Sequence, residues 1–434
     1  MEGTTIAVIG GGPWLPRLVD EMHRQLPASE DGLRWRFCAR DGARLAVVVE
    51  HIRRRLTARG RTWPVEATTS LADAVEAADI VVLMVRVGGG AARRHDETFP
   101  IVYGLAGDEG LGPGGFANAW RTVPFVRRFA ATVRERSPGA RVLNLVAPLG
   151  ITTRCLVDAG VDAVGLCELP IVVRRRLDER LVLDGVAPSL AYLGLNHLGW
   201  FWPTDDGTRE AVFERRVLDV DDDVLAAYGA IPLPYFDKLF RRRPVPDAPA
   251  RADELAALAD GLVRAYTADP GLDTELLDRR PMPWFDESVV PVVRSVVQRR
   301  TQRAVVDVPN TTSDGELAVG ILPPRSVVEV FASFHGDGRL ALDVPSDPPA
   351  PVRSFLTRLA EAEGLAYGAA HDRDRDLMAA ALAAHPLDLD RPTVAALLPH
   401  ICQDAVASPV SFTGAHPSSP GTPASGSDRG RQPP

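Results

Sequence analysis

The chain has 434 residues, 45 % of them hydrophobic and 24 % charged, with a formal net charge of −8, a balance that suits a soluble body large enough for two domains and a sizeable core. An acidic chain carries no electrostatic footprint for nucleic acid. No run of about 18 apolar residues would span a bilayer, and the N-terminus enters a strand without the charged and apolar regions of a secretory leader.

The first element is the apolar run Ile6-Ala7-Val8-Ile9, which leads into Gly10-Gly11-Gly12. A strand entering a glycine turn lets the backbone approach a pyrophosphate at a helix N-terminus. The full GxGxxG spacing is absent, and a plain tight turn has the same look. Short apolar runs at Ile80 to Val85 and Arg141 to Val146 then alternate with amphipathic stretches at Ala43 to Leu56 and Phe125 to Arg136. That alternation predicts βαβ units and a Rossmann-type parallel-sheet domain over residues 1–150.

From residue 151 the pattern is less regular, and a mixed α+β domain is expected over 151–407. Two tight, glycine-bounded segments stand inside it, Gly165-Leu166-Cys167-Glu168 and Gly194-Leu195-Asn196-His197. A thiolate and an imidazole set in such turns are what a transition-metal site with an open coordination position needs. Taken singly, a lone cysteine is more often a small buried hydrophobe and a lone histidine a satisfied core residue. Further on come an acidic stretch at Asp219 to Asp223, an exposed Arg241-Arg242-Arg243-Pro244 run, and a helical pattern from Ala252 to Ala265. The last residues, 408–434, are rich in Ser, Pro, Gly and Thr and are expected to be a disordered tail. Four scattered cysteines without framework spacing suit a reducing compartment, so the expected location is cytoplasmic, with no membrane and no nucleic-acid partner.

Several segments in this order carry a family likeness: the glycine turn, Arg86-Val87-Gly88-Gly89 with Arg93 and Asp96-Glu97, Gly112-Pro113-Gly114-Gly115, the Cys167 and His197 segments, Val328-Glu329-Val330, and His385-Pro386-Leu387. Through them the chain resembles, from about Thr5 to about Leu387, the NAD-dependent glycoside hydrolases of family 4, which include 6-phospho-glucosidases and galactosidases. The resemblance implies a glycosidase that oxidises the sugar at C3, removes the acidified C2 proton, eliminates the glycosidic oxygen, adds water and returns the hydride, outside the usual two-carboxylate scheme. It implies NAD or NADP on Gly10, Gly11 and Gly12, and a divalent ion, manganese above all, on Cys167 and His197. Arg93, Asn196 and Arg280 are the implied substrate contacts, and the substrate is a small glycoside, plain or phosphorylated. It further implies a homodimer or homotetramer.

Departures from the family pattern sit in the site itself. The acidic residue usual at the end of the second strand is replaced by Ala39 beside Arg40, which reads as a 2′-phosphate contact and hence NADP, as weakened binding, or as a plain exposed turn. After the metal cysteine stands Glu168, either a general acid or a partner of the metal ligands. Where family members carry a tyrosine base, Tyr235-Phe236-Asp237-Lys238-Leu239 keeps the first tyrosine and puts Lys238 or Leu239 at the base position; either Lys238 has taken over or the base is lost. Two alternatives therefore accompany the hydrolase reading: a sugar oxidoreductase without elimination, and an inactive sugar- or nucleotide-binding member of the family.

Overall fold

Residues Thr4–Gly10 form strand β1, in which every side chain from Thr5 to Ile9 is buried. Burial on both faces explains the unbroken apolar run, since parallel strands are covered by helices on each side. Ile6 and Val8 belong to one core with Leu18, Val49 and Ile52, from the helices Leu15–Gln25 and Gly42–Ala58. Ala7 and Ile9 belong to a second core with Trp120, Val126 and Phe129 from the helix Gly112–Arg136. The computed structural model describes residues 3–27, 32–241, 250–270, 275–311 and 315–403; the expected disordered tail and the stretch Arg242-Arg243-Pro244 lie outside them.

The strands that follow are β2 (Leu33–Cys38), β3 (Val65–Thr68), β4 (Ile80–Met84), β5 (Arg141–Asn144), β6 (Ala163–Leu166), β7 (Leu190–Leu193), β8 (Trp200–Pro203), β9 (Ile231–Pro232), β10 (Gln302–Pro309), β11 (Val327–Phe334) and β12 (Leu340–Leu342). Nine of them make one sheet in the order β12-β11-β10-β6-β5-β4-β1-β2-β3. Strands β1 to β6 run parallel, so the order 3-2-1-4-5-6 of a doubly wound dinucleotide fold is present, with its switch point between β1 and β4. The parallel wind continues to β6, beyond residue 150. The mixed part expected after it consists of β10, β11 and β12, which extend the same sheet antiparallel, and of a separate antiparallel sheet β7-β8-β9.

Local expectations are met with shifted ends. The stretch Ala43 to Leu56 is the helix Gly42–Ala58, capped by Asp41, whose carboxylate accepts the Arg44 amide at 2.9 Å. The helix read from Phe125 starts instead at Gly112, with Pro113 in its first turn. Its first half is almost wholly buried, from Gly112 to Trp120, so no amphipathic period marks it. The acidic segment holds Asp221, which caps the helix Asp222–Tyr228. No helix among the described residues is long and apolar enough to cross a membrane.

One buried group sets an acid limit on this fold. His385 is 2 % exposed, its Nδ1 accepts the Leu387 amide at 3.2 Å, and it packs against Phe116 and Phe240. Burial, then the Arg358 cation, push its ring down to about 3 from the ordinary 6.5. Between those values the unfolded chain binds a proton that the folded chain refuses, so the stabilisation present above pH 6.5 is lost as pH falls toward 3. Chemical denaturation across that range should show His385→Asn with a slope shallower by up to about one proton; an unchanged slope would assign the acid limit to other groups.

Candidate active site

The carboxyl ends of the parallel strands open on a cavity of about 920 Å³, the place where a doubly wound sheet receives a ligand. Each strand contributes the residues that immediately follow it: Gly10 to Gly12 after β1, Ala39 and Arg40 after β2, Val85 and Arg86 after β4, Ala147 after β5, and Cys167 and Glu168 after β6. Asn196, His197, Tyr235 and Arg280 close the opposite wall.

The glycine turn has φ of 96°, 86° and 55° at Gly10, Gly11 and Gly12, a left-handed path that other residues resist. A Cβ on Gly10 would lie 2.4 Å from the Met84 carbonyl oxygen and one on Gly11 2.6 Å from Leu15 Cδ2, whereas at Gly12 nothing lies within 4 Å. The turn is thus pressed against β4 behind and bare toward the cavity, which fits a cradle for a pyrophosphate.

Cys167 and His197 come from different parts of the chain and meet at this cavity. Cys167 is 3 % exposed at the exit of β6. His197 has φ 67° in the turn between β7 and β8, and its Nδ1 is buried with no hydrogen-bond partner. A buried nitrogen without a partner is costly unless a ligand takes its lone pair. Burial pushes the ring below its ordinary value, which keeps it neutral and able to donate that pair. Burial and the nearby Glu329, Glu168 and Asp307 push the Cys167 thiol well above its usual range; a bound cation is the influence that reverses this. Among the described residues no group of three or more His, Cys, Asp and Glu is placed to hold a metal ion. A thiolate and one imidazole therefore fit a divalent ion whose remaining positions stay open to oxygen ligands.

Glu329 ties the two segments together. It is fully buried in β11, its carboxylate accepts from the Tyr192 hydroxyl and, at 3.1 Å, from the Asn196 amide, and the Cys167 thiol lies near enough to feel its charge. Its backbone exchanges bonds with Gly194 at 2.8 and 3.0 Å. Sequence reading noted Glu329 only as part of a motif; a carboxylate inside an otherwise apolar strand was the available signal.

The remaining expected residues divide. Glu168 lines the cavity with its carboxyl pushed up by burial. Arg280 also lines it, held between Trp14 and Trp284 with its guanidinium carbon 4.7 and 5.1 Å from the ring centres. Burial and the cations of Arg86 and Arg93 lower Arg280 to about 10, so this corner favours an anion. Arg93 is not in the wall: it pairs with Glu97 at 2.6 Å and Glu109 at 3.0 Å, and Arg86 also grips Glu109, at 2.7 Å. Arg121 pairs with Asp96. Lys238 is not in the wall either; its ammonium pairs with Asp108. Tyr235 takes that place, stacked on His197 at 4.4 Å with 9° between the rings. The Trp14 and Trp284 sandwich was not foreseen.

Comparison with known proteins agrees with this arrangement. A sequence model described as family 4 glycosyl hydrolase matches residues 5–183, and one for that family's C-terminal domain matches 192–387. A probable 6-phospho-beta-glucosidase of Bacillus subtilis is 26 % identical over 419 residues, covering 89 % of this chain and 92 % of that protein. The 6-phospho-beta-glucosidase of Thermotoga maritima is 28 % identical over 408 residues, covering 89 % and 94 %. The structure of the Thermotoga maritima 6-phospho-beta glucosidase with manganese, NAD+ and glucose-6-phosphate superposes with a TM-score of 0.76 at 26 % identity, over 92 % of this chain and 97 % of that one.

Proposed function

The chain belongs to the family 4 glycosyl hydrolases, and from that membership we propose that it cleaves a 6-phosphorylated glucoside by dinucleotide-assisted oxidation and elimination with a divalent metal ion, manganese first among candidates. One observation carries this reading: the bare glycine turn and the Cys167 and His197 pair open on one cavity, as hydride transfer beside a metal-held sugar requires. The full-length relatives named as 6-phospho-beta-glucosidases support it, as does the related structure with manganese, NAD+ and glucose-6-phosphate.

When bound, the dinucleotide supplies a reversible hydride acceptor and the ion a Lewis acid. The rest falls to this chain. Residues 1–150 hold the nucleotide through Gly10, Gly11, Gly12 and Arg40, and residues 151–407 carry the metal and sugar groups. Cys167 and His197 hold the ion, and Asn196 orients the sugar beside them. Arg280 meets the anionic end of the substrate, while Arg93 steadies Glu109 at the cavity edge. Glu168 protonates the leaving oxygen; burial keeps its proton available at a pH where an exposed glutamate has lost it. Tyr235, rather than Lys238, takes the C2 proton. We assign the protein to the cytoplasm, as a homodimer or homotetramer.

The test offers the protein 4-nitrophenyl α- and β-glucosides, each with and without a 6-phosphate, plus manganese and either dinucleotide. Nitrophenol release should require phosphate, metal and dinucleotide together. Release from none of the four, with both nucleotides tried, would overturn the hydrolase reading.

Glu168→Gln should separate substrates by leaving group. Turnover of an alkyl or disaccharide 6-phosphate should fall by about 10²- to 10⁴-fold, because a poor leaving oxygen needs the proton. The nitrophenyl glycoside should lose less than about tenfold on the same argument. Equal losses on both would make Glu168 a partner of the metal ligands instead of the acid.

A further inference from the structure

We infer that the nucleotide end of this cavity is built for a 2′-phosphorylated dinucleotide, NADP, with Arg40 as the residue that distinguishes it from NAD. The inference rests on the reading of the cavity as a dinucleotide site and concerns only which dinucleotide. In a sheet of order 3-2-1-4-5-6 the adenosine ribose lies at the end of the second strand, where a carboxylate binds the two hydroxyls of NAD and repels a phosphate. Strand β2 ends at Cys38, and the next residue is Ala39, a methyl group in the cavity wall. NAD therefore finds no acceptor for its ribose hydroxyls at that position.

The neighbouring acid does not fill the gap. Asp41 also lines this wall, but one oxygen of its carboxylate accepts the Arg44 amide at 2.9 Å as the cap of the following helix. Arg40 stands between Ala39 and Asp41, exposed and in the cavity wall, and its side chain has no ion pair or hydrogen bond among the described residues. One helical turn on, Arg44 lines the same wall. Among the described residues its ion pair is with Asp260 at 2.8 Å, between side chains 34 % and 55 % exposed, a solvent-screened contact of little strength that a phosphate can displace. Two guanidiniums four residues apart, with the one carboxylate between them engaged as a helix cap, form a fork suited to a phosphate dianion. Carboxylate loss and guanidinium gain act in the same direction, since the first removes repulsion of the phosphate and the second adds attraction.

Calorimetric titration of the full chain with NADP+ and with NAD+ tests this. NADP+ should bind at least about tenfold more tightly, the effect of one charge-assisted contact. Arg40→Ala should weaken NADP+ about tenfold more than it weakens NAD+. The double substitution Ala39→Asp with Arg40→Ile should reverse the preference. Equal or tighter binding of NAD+ by the natural chain would overturn the inference, as would equal weakening of both nucleotides by Arg40→Ala. Binding of neither nucleotide would overturn it together with the dinucleotide reading of the cavity, whereas tight NAD+ alone would leave that reading standing.

Discussion

Replacing Cys167 with serine should remove manganese binding and lower glycoside turnover by about 10²- to 10³-fold, the usual loss when one pre-placed electrostatic stabiliser is taken from a site. The reason lies in how few ligands the chain supplies. With Cys167 and His197 as the protein's pair, loss of the thiolate leaves a single neutral imidazole, and a serine hydroxyl does not ionise near neutral pH to replace it. Stability should change little. The two side chains differ by one atom, with the Glu329 carboxylate close by, so the melting temperature should fall by only a few degrees. Electron paramagnetic resonance of free manganese, read beside a thermal melt, separates the two effects. Undiminished manganese affinity would place the ion elsewhere, and a collapsed melt would make Cys167 a packing residue.

Tyr235→Phe should reduce exchange of the substrate C2 proton with solvent deuterium by about 10²- to 10⁴-fold, the range for removal of a general base, and Lys238→Met should keep most of it. The contrast follows from position. Tyr235 lines the cavity, stacked on His197, while the Lys238 ammonium is paired with Asp108 outside the wall and lies 5.4 Å from the Tyr235 ring centre. Loss of exchange in Lys238→Met with retention in Tyr235→Phe would restore the lysine as base. Mass spectrometry of recovered substrate reads the exchange without requiring cleavage, so the result also separates the hydrolase from an oxidoreductase that never removes this proton.

Lys238 also shows what counting along a sequence leaves out. Position relative to Tyr235 pointed to it, but Asp237–Arg241 form a π-helical turn, whose wider pitch sends side chains at angles that a 3.6-residue period does not give. The elements that could be read were those whose cause is local. Ile6 to Ile9 are apolar because both faces are covered, Gly10 to Gly12 are glycines because of left-handed φ, and Ala43 to Leu56 shows its helix because one face of it is buried. What could not be read were pairings made at long range. Strand β10 joins β6 through Val306 and Leu166, and Trp14 meets Trp284 across Arg280; nothing near either residue in the chain marks its partner. The Cys167 and His197 pair is an instructive middle case. Each segment signals chemistry by its turn, but their meeting depends on Glu329, more than a hundred residues further along.

That dependence has a consequence for the order in which the protein matures. The two walls that carry the thiol and the imidazole are joined by a carboxylate on β11, far along the chain from both, and closing so long a loop is among the slow events of folding. A chain still emerging from the ribosome can lay down β1 to β6 and its glycine turn well before residue 329 exists. On the proposed assignment of Cys167 and His197, metal capture would be deferred until residue 329 of 434 has been made, and a shorter product would carry the glycine turn without the joined walls.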